Sequence, residues 1–376
     1  MRARRVLLIS LALSLFTTGC MRTNILEQTG LILMVGYDDA GENKIRGTSL
    51  LYQVDPRAKE HTQVISSVSA SSKGSREINN LGMAKKLVSG QLRVALYSDE
   101  LVRKNGLFGL VDTLSRDANV GRMVYIAVCR GQAQDLMAYR YPETSNLGSF
   151  LYQDLKQNTL SGNLPSATLH EFIRDYYEVG RDPVLPILEK EKNKVSITGI
   201  ALFQNDRLAG ETSTRNGYYI KSFRDPHKPM YLEVRVKSQA LKPVLKQAPS
   251  KSETAMMFST LKQKPQIKLL DPQNLRFQIT LQISAELLEV SEPVDLSKPE
   301  TEKQLADAIG HQMSLELHEL LTQFISLKTD PIGLGEIYRS SVRGSHFTRD
   351  EWHEMLSKAQ LDTRVEVMFV RTGIVD

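Results

Sequence analysis

Hydrophobic and polar positions alternate most regularly toward the C-terminal end. Phe277, Ile279, Leu281, Ile283, Ala285 and Leu287 are separated by Gln278, Thr280, Gln282, Ser284 and Glu286. Strand side chains point to opposite faces in turn, so this pattern predicts a long strand with one buried and one wet face. The period then changes. Leu305, Ile309, Met313, Leu317, Leu320 and Phe324 recur every three or four positions, the spacing of one face of a long helix. Ser297 and Glu300 are placed to form a capping box at its start. Val365, Val367 and Phe369 predict a last strand over 364–371. Long strands beside a long amphipathic helix imply a layer in which the helix covers a mostly antiparallel sheet.

Upstream, Leu31 to Val35 form an apolar run within 29–37, followed by Asp38, Asp39 and Gly41. This reads as a buried strand entering a hairpin, with the return over 47–54. The Ser-rich stretch 66–75 is expected to be mobile. Ile78, Leu81, Ala84, Leu87 and Val88 recur at helical spacing, and 93–97 is a short strand. Ser98 before Asp99 and Glu100 opens a helix, its acids at the end the dipole favours. Val124, Ile126 and Val128 alternate within a strand over 123–129, and 147–180 reads as helical.

Pro183, Pro186 and the charged run from Glu189 to Lys194 place a boundary near residue 190. A strand over 195–203 follows. Leu232, Val234 and Val236 then alternate with Glu233, Arg235 and Lys237, before a polar linker over 237–252 with Pro243 and Pro249. The expectation is an α+β, multi-domain protein of mixed and antiparallel sheets with covering helices. Its parts are an N-terminal domain over 20–190, a small central domain over 195–245 and a C-terminal domain over 250–376, whose sheet is packed by the long amphipathic helix.

The first nineteen residues follow a different logic. Arg2, Arg4 and Arg5 precede an apolar run from Val6 to Phe16, and Thr17, Thr18 and Gly19 lead to Cys20. The run is too short to cross a hydrocarbon core of roughly 30 Å as a helix, and the order is that of a secretory signal. A cysteine after a small residue at this place is what a lipid-transfer enzyme reads, making a diacylglyceryl thioether on Cys20. Thr17 stands where a branched apolar residue is usual. The other reading is an ordinary signal peptide in which Cys20 is incidental.

Removing 1–19 takes Lys+Arg from 48 to 45 against 43 Asp+Glu, so the formal charge falls from +5 to +2. The high pI is therefore largely a property of the leader and does not point to nucleic acid. Cys129 is the one other cysteine, so no internal disulfide can form. No later segment reaches about 18 consecutive apolar residues.

The search for chemistry is mostly negative. There is no P-loop, no GxGxxG after a strand, no GxSxG and no HExxH. His311 and His318 share a helix face but lack a third ligand at metal spacing. His170-Glu171 and His353-Glu354 read as solvated pairs, Asp38/Asp39 as a hairpin turn, and Asp350/Glu351 as a helix first turn. Trp352, the single tryptophan, is expected to anchor the C-terminal core. Gly333 and Gly335, within 330–335, suggest close chain approach rather than phosphate binding, since no Lys-Ser/Thr follows. No catalytic, cofactor-binding or metal-binding residue is assigned and no cofactor is implied.

Three segments carry a family likeness. Residues 197–210, with Gly199, Ala201, Phe203, Asp206 and Gly210, resemble a signature of the Ger(x)C family, the spore-germination receptor C subunits. Within 90–137, Ser98-Asp99-Glu100-Leu101, Asn105-Gly106-Leu107, Ser115-Arg116-Asp117 and Gly131 to Leu136 are similar to a second family segment. Asp330-Pro331-Ile332-Gly333-Leu334-Gly335, Trp352 and the close at Thr372-Gly373 match a third. Met21-Arg22-Thr23-Asn24 replaces the frequent Trp-Asp pair after the cysteine. The resemblance implies a non-enzymatic lipoprotein of mixed α/β fold, anchored through Cys20 on the outer face of the spore inner membrane. It also implies A and B membrane subunits as partners in a nutrient germinant receptor. A lipid-anchored solute-binding protein of a transporter is the competing reading.

Overall fold

The computed structural model describes residues 28–53, 61–226 and 229–372. The leader, Cys20, Met21 to Asn24 and Gly373 lie outside the described residues. The apolar run beginning at Leu31 is strand β1 (Thr29–Asp39), and it turns into β2 (Ile45–Gln53) as the sequence leads one to expect. The Ser-rich stretch, expected to be mobile, is instead ordered into β3 (Thr62–Ser69) and helix α1 (Ser72–Leu81), where the Ser71 side chain accepts from Gly74 N. Short polar residues cap helices well, and a run of them need not be a loop.

The helical spacing beyond Leu81 is broken, because β4 (Lys86–Val88) pairs with the start of β1. Next come β5 (Val94–Ser98), α2 (Asp99–Asn105), α3 (Phe108–Ser115), β6 (Tyr125–Cys129) and α4 (Ala133–Ala138). Ser98 is the N-cap of α2, as its sequence implies. The helical stretch at 147–180 is two helices, α5 (Leu147–Leu160) and α6 (Leu169–Tyr177), the second opened by a Thr168/Glu171 capping box.

The boundary expected near residue 190 falls in a hairpin turn at Lys192, where β7 (Val184–Glu191) pairs with β8 (Lys194–Gln204). With β9 (Arg207–Thr212) these strands complete one sheet, in the order β3-β2-β1-β5-β6-β7-β8-β9. The stretch 195–245, expected as a small central domain, contributes strands to both sheets. Strands β1, β5, β6 and β7 run parallel and the flanking strands antiparallel. Alternate residues of the parallel strands enter two different apolar clusters, Leu96 one and Tyr97 the other. The sheet is thus buried on both faces, as parallel strands require.

After α7 (Gly217–Arg224), the second sheet takes the order β10-β11-β12-β13, from β10 (Met230–Lys237), β11 (Glu253–Asp271), β12 (Arg276–Val290) and β13 (Gln360–Thr372). It is antiparallel except for the parallel β12–β13 pair. The inward row of β12 and the apolar stripe of α8 (Pro299–Ser326) are both buried in one core. The Ser297/Glu300 capping box is absent: Lys298 is the N-cap, Ser297 bonds Asp295, and a proline opens the helix. Two short helices, α9 (Leu334–Ser341) and α10 (Arg349–Leu356), lie between α8 and β13.

Candidate functional site

The densest polar arrangement lies where the chain leaves α8 and meets the loop between α6 and β7. Asp330 is 1% exposed. Its Oδ1 accepts the N–H groups of Gly333 at 2.8 Å and Leu334 at 2.9 Å, while Oδ2 accepts from Gly335 N at 2.8 Å and Trp352 Nε1 at 3.0 Å. The carboxylate thereby satisfies the unpaired donors at the start of α9, whose dipole favours an anion there. Burial is the main influence on this acid and, with Asp182 nearby, raises its pKa to about 6 despite the backbone donors.

Asp182 and Asp330 also exchange backbone bonds. Asp182 N donates to the Asp330 carbonyl at 2.9 Å, and Asp330 N donates to Asp182 Oδ2 at 2.7 Å. Asp182 Oδ1 accepts from Asn205 N at 3.0 Å, and His353 Nε2 lies 2.9 Å from Oδ2. Burial alone would lower the His353 pKa. The hydrogen bond and charge of Asp182, with Asp330 and Asp350, outweigh burial and raise it. His353 is therefore not the solvated residue that its neighbour Glu354 suggests. It is buried on the inner face of α10, and its partner lies in the other half of the chain.

Arg224, the last residue of α7, completes the junction. Its guanidinium donates to Asp175 Oδ2 at 2.8 Å, to the Pro331 carbonyl at 2.7 Å and to the Asp182 carbonyl. Asp175 also accepts from Arg174. Burial holds the Arg224 pKa below its usual value, partly offset by Asp175. Around this core, Arg181 pairs with Glu336 and Arg339 with Glu178. Thr329 Oγ1 donates to the Phe203 carbonyl, and so ties the end of α8 to β8.

The glycines at the junction serve close approach, as their sequence context suggests. A Cβ on Gly335 would stand 2.4 Å from Gly180 Cα and 2.7 Å from Trp352 Cε2, and Gly180 has φ of +98°. Gly333 is left-handed, with φ of +82°. Trp352 is buried against Tyr338 and Phe347, the anchoring role its sequence implies.

Asp38 differs from the turn residue expected of it. It is fully buried and accepts from Ala133 N at 2.6 Å and Gln134 N at 3.0 Å, which caps α4 from across the sheet. Asp39, by contrast, accepts from Gly41 N within the turn, and Glu351 forms a capping box with Thr348. His170, His311 and His318 are exposed, and no group of three or more metal-ligating side chains occurs among the described residues. Burial raises the Cys129 thiol pKa to about 12, which leaves it protonated.

Asp182, Asp330 and His353 would pass for an acid/base constellation by composition alone. Each is 3% exposed or less, and their polar atoms are largely consumed by the fold. The arrangement fastens the two sheets together. Sequence reasoning found Gly333, Gly335 and Trp352, but it missed Asp175, Asp182, Arg224 and the role of His353.

Two family models match the chain in succession, the spore germination protein N-terminal domain over residues 22–190 and the spore germination B3/GerAC-like C-terminal domain over 198–373. The chain belongs to the Ger(x)C family of spore germination proteins. Among Ger(x)C relatives, it is 25% identical over 373 residues to spore germination protein GerQC of Bacillus cereus, which covers 98% of this chain and 99% of that one. The crystal structure of the GerBC protein superposes with a TM-score of 0.55 at 15% identity, covering 89% of this chain and 96% of the other, a likeness of fold. In this Ger(x)C chain, the 330–335 stretch and Trp352 on which the sequence likeness rests are residues of the buried junction.

Proposed function

We propose that the protein is the lipid-anchored, non-enzymatic C subunit of a nutrient germinant receptor, needed for receptor assembly or signalling in spore germination. In this reading a diacylglyceryl group on Cys20 holds it to the outer face of the spore inner membrane, beside A and B membrane subunits. The observation that carries the reading is the ordered match of both germination-protein models along nearly the whole chain. Two features support it. The one dense cluster of ionisable groups described above serves architecture. No helix among the described residues is long and apolar enough to cross a membrane, so attachment would fall to the lipidated cysteine, where two acyl chains give stable anchoring.

Replacing Cys20 with Ala tests the anchor. The variant is expected to leave the membrane fraction and to impair nutrient-triggered germination. Full membrane retention of Cys20→Ala would refute the tether. Crosslinking the intact protein in spore membranes, followed by mapping, is expected to join it to two integral membrane proteins.

A further inference from the structure

One end of the first sheet combines three features. The described chain starts there, since Gln28 precedes β1, and β4 pairs with that start through Thr29↔Lys86, Gly30↔Leu87 and Leu31↔Val88. Helix α1 ends there too, because Asn80 Oδ1 accepts from Leu87 N at 2.9 Å. The residue after Asn80 is Leu81, which is 85% exposed, and Ile78 one turn earlier is 47% exposed. Met83 is half-buried beside them, and Lys85 and Lys86 follow, with Glu77 as the acid of this helix turn. Scattered surface leucines need no explanation. An almost fully exposed leucine beside a second aliphatic residue and two lysines, where the chain enters the body, is a more particular arrangement.

Seven residues lie between Cys20 and Gln28, and the eight Cα–Cα steps span at most about 29 Å when extended. A tether this short keeps this end of the body within reach of the surface to which the tether is fixed. Apolar side chains flanked by lysines match the chemistry of an anionic bilayer interface, where aliphatic groups enter the headgroup boundary and cations meet lipid phosphates.

We propose that the end of the molecule bearing Ile78, Leu81, Met83, Lys85 and Lys86 rests on the anionic lipid surface and sets the orientation of the body. This rests on the Cys20 tether proposed above. It adds a second, reversible contact that stands the β1–β2 hairpin upright, with its turn directed away from the bilayer.

The test uses the full lipidated chain in vesicles containing phosphatidylglycerol and brominated phosphatidylcholine. Leu81→Trp places a reporter in the patch. Lys44→Trp places one beside the opposite turn of the hairpin, about 35 Å away along an eleven-residue strand. Trp352 is buried and gives a constant background. Bromolipid is expected to quench the Leu81→Trp signal severalfold more than that of Lys44→Trp. Adding Lys85→Glu and Lys86→Glu should reduce this difference on anionic vesicles. Equal or absent quenching at position 81 while the protein still floats with vesicles would overturn the lipid contact and leave the tether standing. That is also the result expected if a protein partner covers the patch. Failure to float would overturn the tether itself.

Discussion

Asp330 accepts four hydrogen bonds through two oxygens, three of them from successive backbone N–H groups. An amide cannot take this place, because its NH2 would face two of those donors whichever way it turned. Asp330→Asn is therefore expected to cost about 2–4 kcal/mol, the range for breaking a buried charge-assisted network. Urea unfolding with unchanged m-value would measure it. The titration of the junction has a definite sign. His353 has a raised pKa, so its contribution is complete below its ordinary value of 6.5 and is lost as pH rises through the folded value. Asp330, raised from 3.8 to about 6, also holds its proton more tightly when folded. Asp330 therefore weakens the junction as pH rises from 3.8 to about 6, and His353 weakens it further as pH rises from 6.5 through its folded value, so stability falls with pH across both windows. His353→Gln should flatten that slope, and an unchanged slope in the variant would remove His353 from this account. None of the pairing was legible in the sequence, since Asp182 and His353 lie 171 positions apart. A histidine next to a glutamate carries no sign of which face of its helix turns inward.

Elements were legible where one face is buried and the other wet. The strand at 276–290 and helix at 299–326 show this, because a strict period survives only under such conditions. β11 carries Lys262, Lys264 and Lys268 around Pro265 and shifts register three times against β12, so its alternation drifts and its period is hidden. The contact between α8 and β13 depends on small groups. A Cβ on Gly310 would stand 2.9 Å from the Val365 carbonyl, and Ser314 Oγ accepts from Val365 N at 2.8 Å. Ser314→Val should leave that N–H unpaired and cost about 1–3 kcal/mol. Faster amide exchange at Val365 would report it. Gly335→Ala should be worse, because its Cβ meets backbone that cannot turn aside. A loss above about 2 kcal/mol is expected, and a thermal midpoint equal to that of the parent would contradict the packing.

For the whole molecule, the Ger(x)C resemblance was readable from motifs, whereas the way the chain is shared between the two sheets was not. Prolines and charges near residue 190 resemble a linker, whereas they flank a hairpin inside a continuous sheet. Family-model limits at 190 and 198 bracket that same turn. The two sheets share one apolar cluster, and a buried polar junction with Arg224 at its centre ties them as well. Arg224→Met would leave Asp175 with Arg174 alone and remove the donors to Asp182 and Pro331. A loss of about 3–5 kcal/mol is expected for removing one partner of a buried pair. Calorimetry should show one transition in the parent and two in the variant, and a single unshifted transition would mean that the sheets are coupled elsewhere.

The parallel pairing of β12 with β13 also has a consequence in time. An antiparallel neighbour can follow its partner at once through a tight turn, but a parallel one must wait for a crossover, here α8 to α10. During synthesis, β12 is complete at Val290 while the strand that covers its edge begins only at Gln360. Until the last residues emerge, that edge remains open to pairing with another copy. A chain stopped at residue 359 should accumulate as aggregate even though α8 and its apolar stripe are intact. The final thirteen described residues thus act as the step that covers the edge of β12.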